Sequence, residues 1–261
     1  MSEGKEFVIS SGDQLLKATT RRKFLAAMGM GGAIVFLPSV FTACNSDDNG
    51  VTGVEGSAAQ FKLDLSNDTG ILNYAYALEQ LEAAYYTAAL GSAGFAALSA
   101  DEKEVLSDLQ KHEVIHREFF KTVLGSAAIP TIVFNTTTVG TLTASRDVLL
   151  KTSQLLEDTG VSAYNGAGKY LTSAANLLVA GKIVSVEARH AAAIRDIRDT
   201  TGRLFAGDDV IDDAGLDVKA EPGTVLGNVV SLNVVSSPLS LGTPPNAAIK
   251  TADSRPVPTP A

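Results

Sequence analysis

From Asp68 onward the apolar positions recur with a period near 3.6: Ile71, Leu72, Ala75, Leu78, Leu81 and Tyr85 share one helical face, and the pattern stops at Gly91. A second helix is predicted from Ser99, where Ser99-Ala100-Asp101-Glu102 has the form of a capping box, through Val105, Leu109, Val114 and Phe119 to Gly125. Two acids in its first turn suit the positive end of the helix dipole. Residues 126–142 break the pattern with Pro130 and the β-branched run Thr136-Thr137-Thr138-Val139, and read as non-helical. A third helix is expected from about Thr143 to Tyr164, ended by Asn165-Gly166-Ala167-Gly168, and a fourth from about Thr172 to Thr200. Residues 203–261, rich in Gly, Pro, Asp and Val, read as an irregular extension with room for one short helix or strand.

Loop lengths constrain how four such helices pack. The short turns within each pair make helices one and two, and three and four, antiparallel neighbours. The middle connection of about 17 residues extends to about 56 Å, longer than the roughly 40 Å of a 26-residue helix. It can therefore cross the whole bundle, and an all-α, up-down-down-up bundle over residues 66–202 is the expected fold.

Ahead of the bundle, Thr20-Arg21-Arg22-Lys23-Phe24-Leu25 precedes a Gly/Ala-rich apolar run that ends in Phe41-Thr42-Ala43-Cys44. A charged stretch before a short apolar one is the layout of a secretory leader. The arginine pair resembles the twin-arginine export signal, and the run's end resembles a bacterial lipobox, which implies lipidation at Cys44. Residues 24–43 are also long enough to span a bilayer, but Gly29, Gly31, Gly32 and Pro38 favour a cleavable segment. Residues 1–44 are thus read as the leader and 45–65, rich in Asn, Ser, Asp and Gly, as a flexible tether. The expected location is periplasmic or at the cell surface, with a lipid on Cys44 as the membrane link.

Composition narrows the chemistry. The chain of 261 residues is 45% hydrophobic, enough to bury a core, and carries a net charge of −8 without a basic stripe beyond the leader, which excludes a nucleic-acid partner. One cysteine excludes a disulfide framework and a thiolate zinc site, and three histidines leave metal chemistry to carboxylates. The two helix pairs repeat one polar pattern. Glu79 is followed by Tyr86 and then Glu113-Val114-Ile115-His116; Glu157 is followed by Tyr164 and then Glu187-Ala188-Arg189-His190. Residues three apart share a helix face, so Glu113 with His116, and Glu187 with His190, can aim at one point. With Glu79 and Glu157 the centre gathers four carboxylates and two imidazoles, a set that suits two iron ions or, alternatively, two manganese ions. Placed among apolar neighbours, such acids would be costly to bury without a cation.

Leu72–Tyr86, His112–Phe119, Leu156–Tyr164 and Val186–Ala193 resemble the ferritin-like superfamily, and within it the ferritin-like domain family that includes desiccation-related proteins. The resemblance spans residues 70–200 and implies that Glu113 and Glu187 bridge two metals. It makes Glu79 and Glu157 terminal carboxylates and gives His116 and His190 one metal each. Glu82, three residues beyond Glu79, is its rival for the same face; the matching Tyr86 and Tyr164 favour Glu79. The tyrosines are expected to donate hydrogen bonds to the carboxylates or to pass electrons. The implied activity is oxygen or peroxide chemistry, ferroxidase-like or catalase-like, with a non-enzymatic stress or desiccation-related protein as the alternative and a homodimer as a compatible assembly. His112 reads as a surface or supporting residue one position off the ligand face. Arg189, Arg195 and Arg198 read as a solvated face paired with Asp196 and Asp199. Asp208, Asp209, Asp212, Asp213 and Asp217 read as a solvated acidic loop.

Overall fold

The computed structural model describes residues 61–199, 201–236 and 239–242. The leader, Cys44 and the tether as far as residue 60 lie outside the described residues. In chain order the elements are β1 (Phe61–Leu63), α1 (Asp68–Ala89), α2 (Ala93–Ala96), α3 (Ala100–Leu124), α4 (Thr136–Leu142), α5 (Arg146–Ala167), α6 (Ala174–Arg198), α7 (Pro222–Ser231) and β2 (Leu239–Leu241). Among the described residues no helix is long and apolar enough to cross a membrane.

Helices α1, α3, α5 and α6 are the four expected ones, and local chemistry starts each of them. The side chains of Asn67, Ser99, Ser145 and Ser173 accept from backbone amides of the first turns, and Ser99 with Glu102 completes the capping box. Cross-helix contacts give the directions. Gln110 reaches Thr87 and His116 approaches Glu79, so α1 and α3 are antiparallel. Arg146 reaches Ile197 O and Glu157 approaches His190, so α5 and α6 are antiparallel as well. Tyr86 reaches Glu157 while Tyr164 reaches Glu79, so α5 also opposes α1. The Asp68 carboxylate of α1 accepts from Thr172 N at 2.8 Å, Ser173 N at 3.0 Å and Asn176 Nδ2 at 2.8 Å, which sets the starts of α1 and α6 side by side. The order is up, down, down, up.

The long connection between α3 and α5 runs the length of α1. Asn73 holds it near the start through Ala127 O at 2.8 Å and Ile129 N at 2.7 Å, and Gln80 holds Ile132 N at 2.9 Å. At the far end Thr143 O accepts from Gly94 N at 3.1 Å. The run Thr136–Val139, expected to be non-helical, starts the short α4, because Asn135 caps it through Thr138 N and Val139 supplies a buried anchor. Tertiary burial here overrides weak intrinsic propensity.

Four other expectations are corrected. Helix α5 runs on to Ala167: Gly166 does not break it but lets the backbone of Ala220 approach, where a Cβ would lie 1.8 Å from the Ala220 carbonyl oxygen. The extension past residue 203 is fastened down. Val225, Leu226 and Val229 of α7 are buried, Ser236 N donates to Val133 O, and β2 pairs in parallel with β1. Residues 61–65 accordingly leave the tether, with Leu63 and Leu65 in the core. Finally, α3 buries Leu106, Leu109, Glu113 and Phe120 in place of Val105, Val114 and Phe119. The inward face is the one that carries Glu113, and residues three, four or seven positions away share it.

Candidate metal centre

The interior of the bundle is layered. Ala75, Tyr76, Phe120, Tyr164 and Ile183 form an apolar cluster toward the starts of α1 and α6, and Tyr86, Leu109, Leu156 and Ile194 belong to a larger one beyond. Between them lie Glu79, Glu113, Glu157 and Glu187, all with no exposed surface, and His190, which is buried; His116 keeps a little exposure. The structure thus brings together all six residues singled out by the repeat.

Their arrangement is twofold. His116 Nδ1 lies 3.4 Å from Glu79 Oε2, 3.5 Å from Glu113 Oε2 and 2.8 Å from Glu187 Oε1. His190 Nδ1 lies 3.4 Å from Glu157 Oε2, 3.5 Å from Glu187 Oε2 and 2.8 Å from Glu113 Oε1. Glu79 therefore serves one half and Glu157 the other, while Glu113 and Glu187 each turn one oxygen into each half. The tyrosines cross over: Tyr86 Oη donates to Glu157 Oε1 at 2.6 Å, and Tyr164 Oη donates to Glu79 Oε1. Each tyrosine steadies the carboxylate of the opposite half, so neither half is built from one helix pair alone.

A fit to divalent cations can be tested on the donor atoms themselves. Glu79 Oε2, Glu157 Oε2, both oxygens of Glu113 and Glu187, and both histidine Nδ1 atoms are buried without a hydrogen-bond partner. The short N···O approaches are not aligned as hydrogen bonds; each group points at a shared centre rather than at its neighbour. Eight orphaned donors in two sets of four is an arrangement that protein interiors otherwise avoid. Three carboxylate oxygens and one imidazole per set is a donor chemistry that iron and manganese accept.

The electrostatics tell the same story. Burial, with Glu187 next, pushes Glu79 well above the usual carboxylate range, and burial lifts Glu157 to about 8. Burial also opposes ionisation of Glu113, but the two imidazoles facing it outweigh that and bring it down to about 2. Burial alone would lower the histidines; the facing carboxylates raise both, His190 to about 12. Without a cation, protons hold the charge balance.

Two features break the twofold relation. Glu82 is buried beside the cluster, pushed well above its usual range by burial and by the four central carboxylates, and it supplies no atom to either set of four. Its mate in the second half is Gly160, where a Cβ would sit 3.0 Å from Glu82 Oε1, so the missing side chain makes room for the carboxylate. His112, which is exposed, lies with Nδ1 2.9 Å from His190 Nε2, and its mate is Val186. The spacing of His112 four residues before His116 was the available signal, since such positions share a face.

Arg195 corrects the reading of a solvated arginine face. It is 2% exposed and bonds Asp158 through Nε at 2.8 Å and Nη2 at 2.7 Å, Asp209 through Nη1 at 3.0 Å and Nη2 at 2.7 Å, and Leu204 O. It falls eight residues after Glu187, on the same helical face, which the sequence could have shown. Of the acidic loop, Asp209 is thereby tied to the bundle, and Asp212 accepts from the amides of Ala214 and Leu216. Asp199 accepts from Arg203 N and Leu204 N, shaping the turn after α6 instead of pairing with an arginine side chain. Arg198 reaches Gln154, and Arg189 is exposed as expected.

An up-down-down-up helical bundle with a buried, twofold cluster of carboxylates and histidines that could hold metal belongs to the class of all-α bundles that carry such a cluster between facing helices. The family model described as a ferritin-like domain matches residues 67–200, just over half of the chain, and the chain belongs to that family. No curated protein matches it.

Proposed function

We propose that the centre binds two divalent ions, iron in the first instance and manganese as the alternative, and that the loaded protein reacts with oxygen or peroxide in a ferroxidase-like or catalase-like manner. The observation that carries this reading is the set of eight buried, unpartnered donor atoms aimed at two points. Two adjacent redox metals supply the paired electrons that such substrates require. The chain's own residues do the rest. Glu113 and Glu187 would span both ions, Glu79 with His116 would complete one, and Glu157 with His190 the other. Tyr86 and Tyr164 hold the outer oxygens of Glu157 and Glu79, leaving the inner ones free. The apolar layers above and below keep bulk water away from the centre.

In the same proposal residues 1–44 direct export of the folded bundle by the twin-arginine route, and Cys44 carries the lipid that tethers it to a periplasmic or surface membrane. The test is elemental analysis of protein purified without chelator from cells given iron and manganese, followed by oxygen and peroxide turnover assays. About two ions per chain with metal-dependent turnover is the expected result. Two ions without turnover would move the protein to the desiccation-related, structural reading. No bound metal and no uptake would refute the metal centre.

A further inference from the structure

His112 stands where the twofold relation of the centre fails. Its ring and that of His190 are nearly parallel, 12° apart, with centroids 5.1 Å apart and a nitrogen-to-nitrogen distance of 2.9 Å. That distance is shorter than face-to-face packing permits, so the rings meet edge to edge, in hydrogen-bonding contact. Because His190 Nδ1 faces Glu113, Glu157 and Glu187, a metal bound there takes the Nδ1 lone pair, and the ring hydrogen must reside on Nε2. The bond then has one sense: His190 Nε2 donates and His112 Nδ1 accepts. His116 has no such support. The position equivalent to His112 is Val186, whose side chain cannot accept a hydrogen bond, and His116 Nε2 has no hydrogen-bond partner among the described residues.

We propose that His112 is a positioning residue that makes the two metal subsites unequal, locking His190 in the orientation and tautomer that present Nδ1 and giving the His190 subsite the tighter hold on its ion. The inference rests on the two-metal reading above. An acceptor behind a ligating imidazole fixes its ring and raises its donor strength, and its loss commonly weakens metal binding about 10- to 100-fold. Here the loss falls on one subsite, because only one imidazole has the partner.

The test is anaerobic calorimetric titration of the full-length protein with Fe2+, comparing wild type, His112→Ala and His112→Asn. Wild type is expected to bind two ions in two unequal steps. His112→Ala should weaken the tighter step by about 10- to 100-fold and move the other by less than about threefold. The Asn variant should restore the tighter step, since its Oδ1 occupies the place of Nδ1 along the side chain and accepts the same bond. The melting temperature of the metal-free variants should stay within about 2 °C of wild type, as for an exposed position. Two equal steps in wild type, an unchanged Ala variant, equal weakening of both steps, or an Asn variant no better than Ala would each overturn the role of His112 while leaving the two-metal reading intact. Fewer than two ions in wild type would overturn both.

Discussion

The division of carboxylate oxygens between the two halves makes a quantitative prediction about single substitutions. Glu79 offers Oε2 to one set of four donors only, whereas Glu113 offers Oε2 to that set and Oε1 to the other. Sites of four protein ligands hold divalent zinc with roughly 10–16 kcal/mol, so one ligand accounts for about 3 kcal/mol and its loss for about two decades of affinity. Glu79→Gln should therefore weaken one ion about 100-fold and spare the other, and Glu113→Gln should weaken both. The metal-free proteins should diverge in the same sense. Burial and the neighbouring carboxylates already keep Glu79 above its usual range, so a neutral isostere costs little there. Glu113 is brought down to about 2 by the two imidazoles, and neutralising it forfeits about 3 kcal/mol of stability at neutral pH. Metal stoichiometry after dialysis and denaturant titration in chelator measure the two effects. Loss of both ions in Glu79→Gln, or of one ion alone in Glu113→Gln, would refute the shared-oxygen geometry.

Other consequences follow from the same contacts. The raised histidines and the raised Glu79 and Glu157 make the native metal-free protein bind more protons than the unfolded chain between about pH 5 and 9, so its stability should fall as pH rises, by about 1.4 kcal/mol per pH unit for each extra proton. Metal displaces those protons, so the stabilisation it brings should grow with pH; melting curves from pH 5.5 to 8.5 with chelator and with metal check both signs, and a metal-free curve that climbs with pH contradicts the account. Arg195→Ala strands Asp158 without its partner and should cost about 3–5 kcal/mol in denaturant unfolding, with faster proteolysis in the loop at 203–217. Gly166→Ala drives a methyl group into the Ala220 carbonyl and should cost about 1–3 kcal/mol; faster amide exchange at Ala220, whose N donates to Ser162 O at 2.9 Å, would locate the damage, and an unaltered exchange rate would argue against it.

What could be read along the chain was whatever repeats along it. A helix announces itself by a 3.6-residue period and by a cap at its start, so α1, α3, α5 and α6 were legible to within a few residues. The Glu-x-x-His pairs were legible because two residues three apart must share a face whatever the helix packs against. Short turns against one long connection even disclosed the bundle's order of directions, since chain length limits reach.

Tertiary structure alone decided which partner each side chain meets. No local spacing says that Tyr86 reaches Glu157 and Tyr164 reaches Glu79, that the oxygens of Glu113 part between two centres, or that His112 backs His190 while Val186 leaves His116 unsupported. The burial of Arg195 and the docking of residues 218–236 and 239–242 likewise depend on groups far away in sequence, Asp158 and Asp209 for the one and Ser162, Val133 and β1 for the other. Periodicity reports a helix's own geometry, 1.5 Å and 100° at each step, and carries no record of how far a neighbouring helix is shifted or rotated. That offset is set by packing across the whole interior, and the chemistry of the centre depends on it.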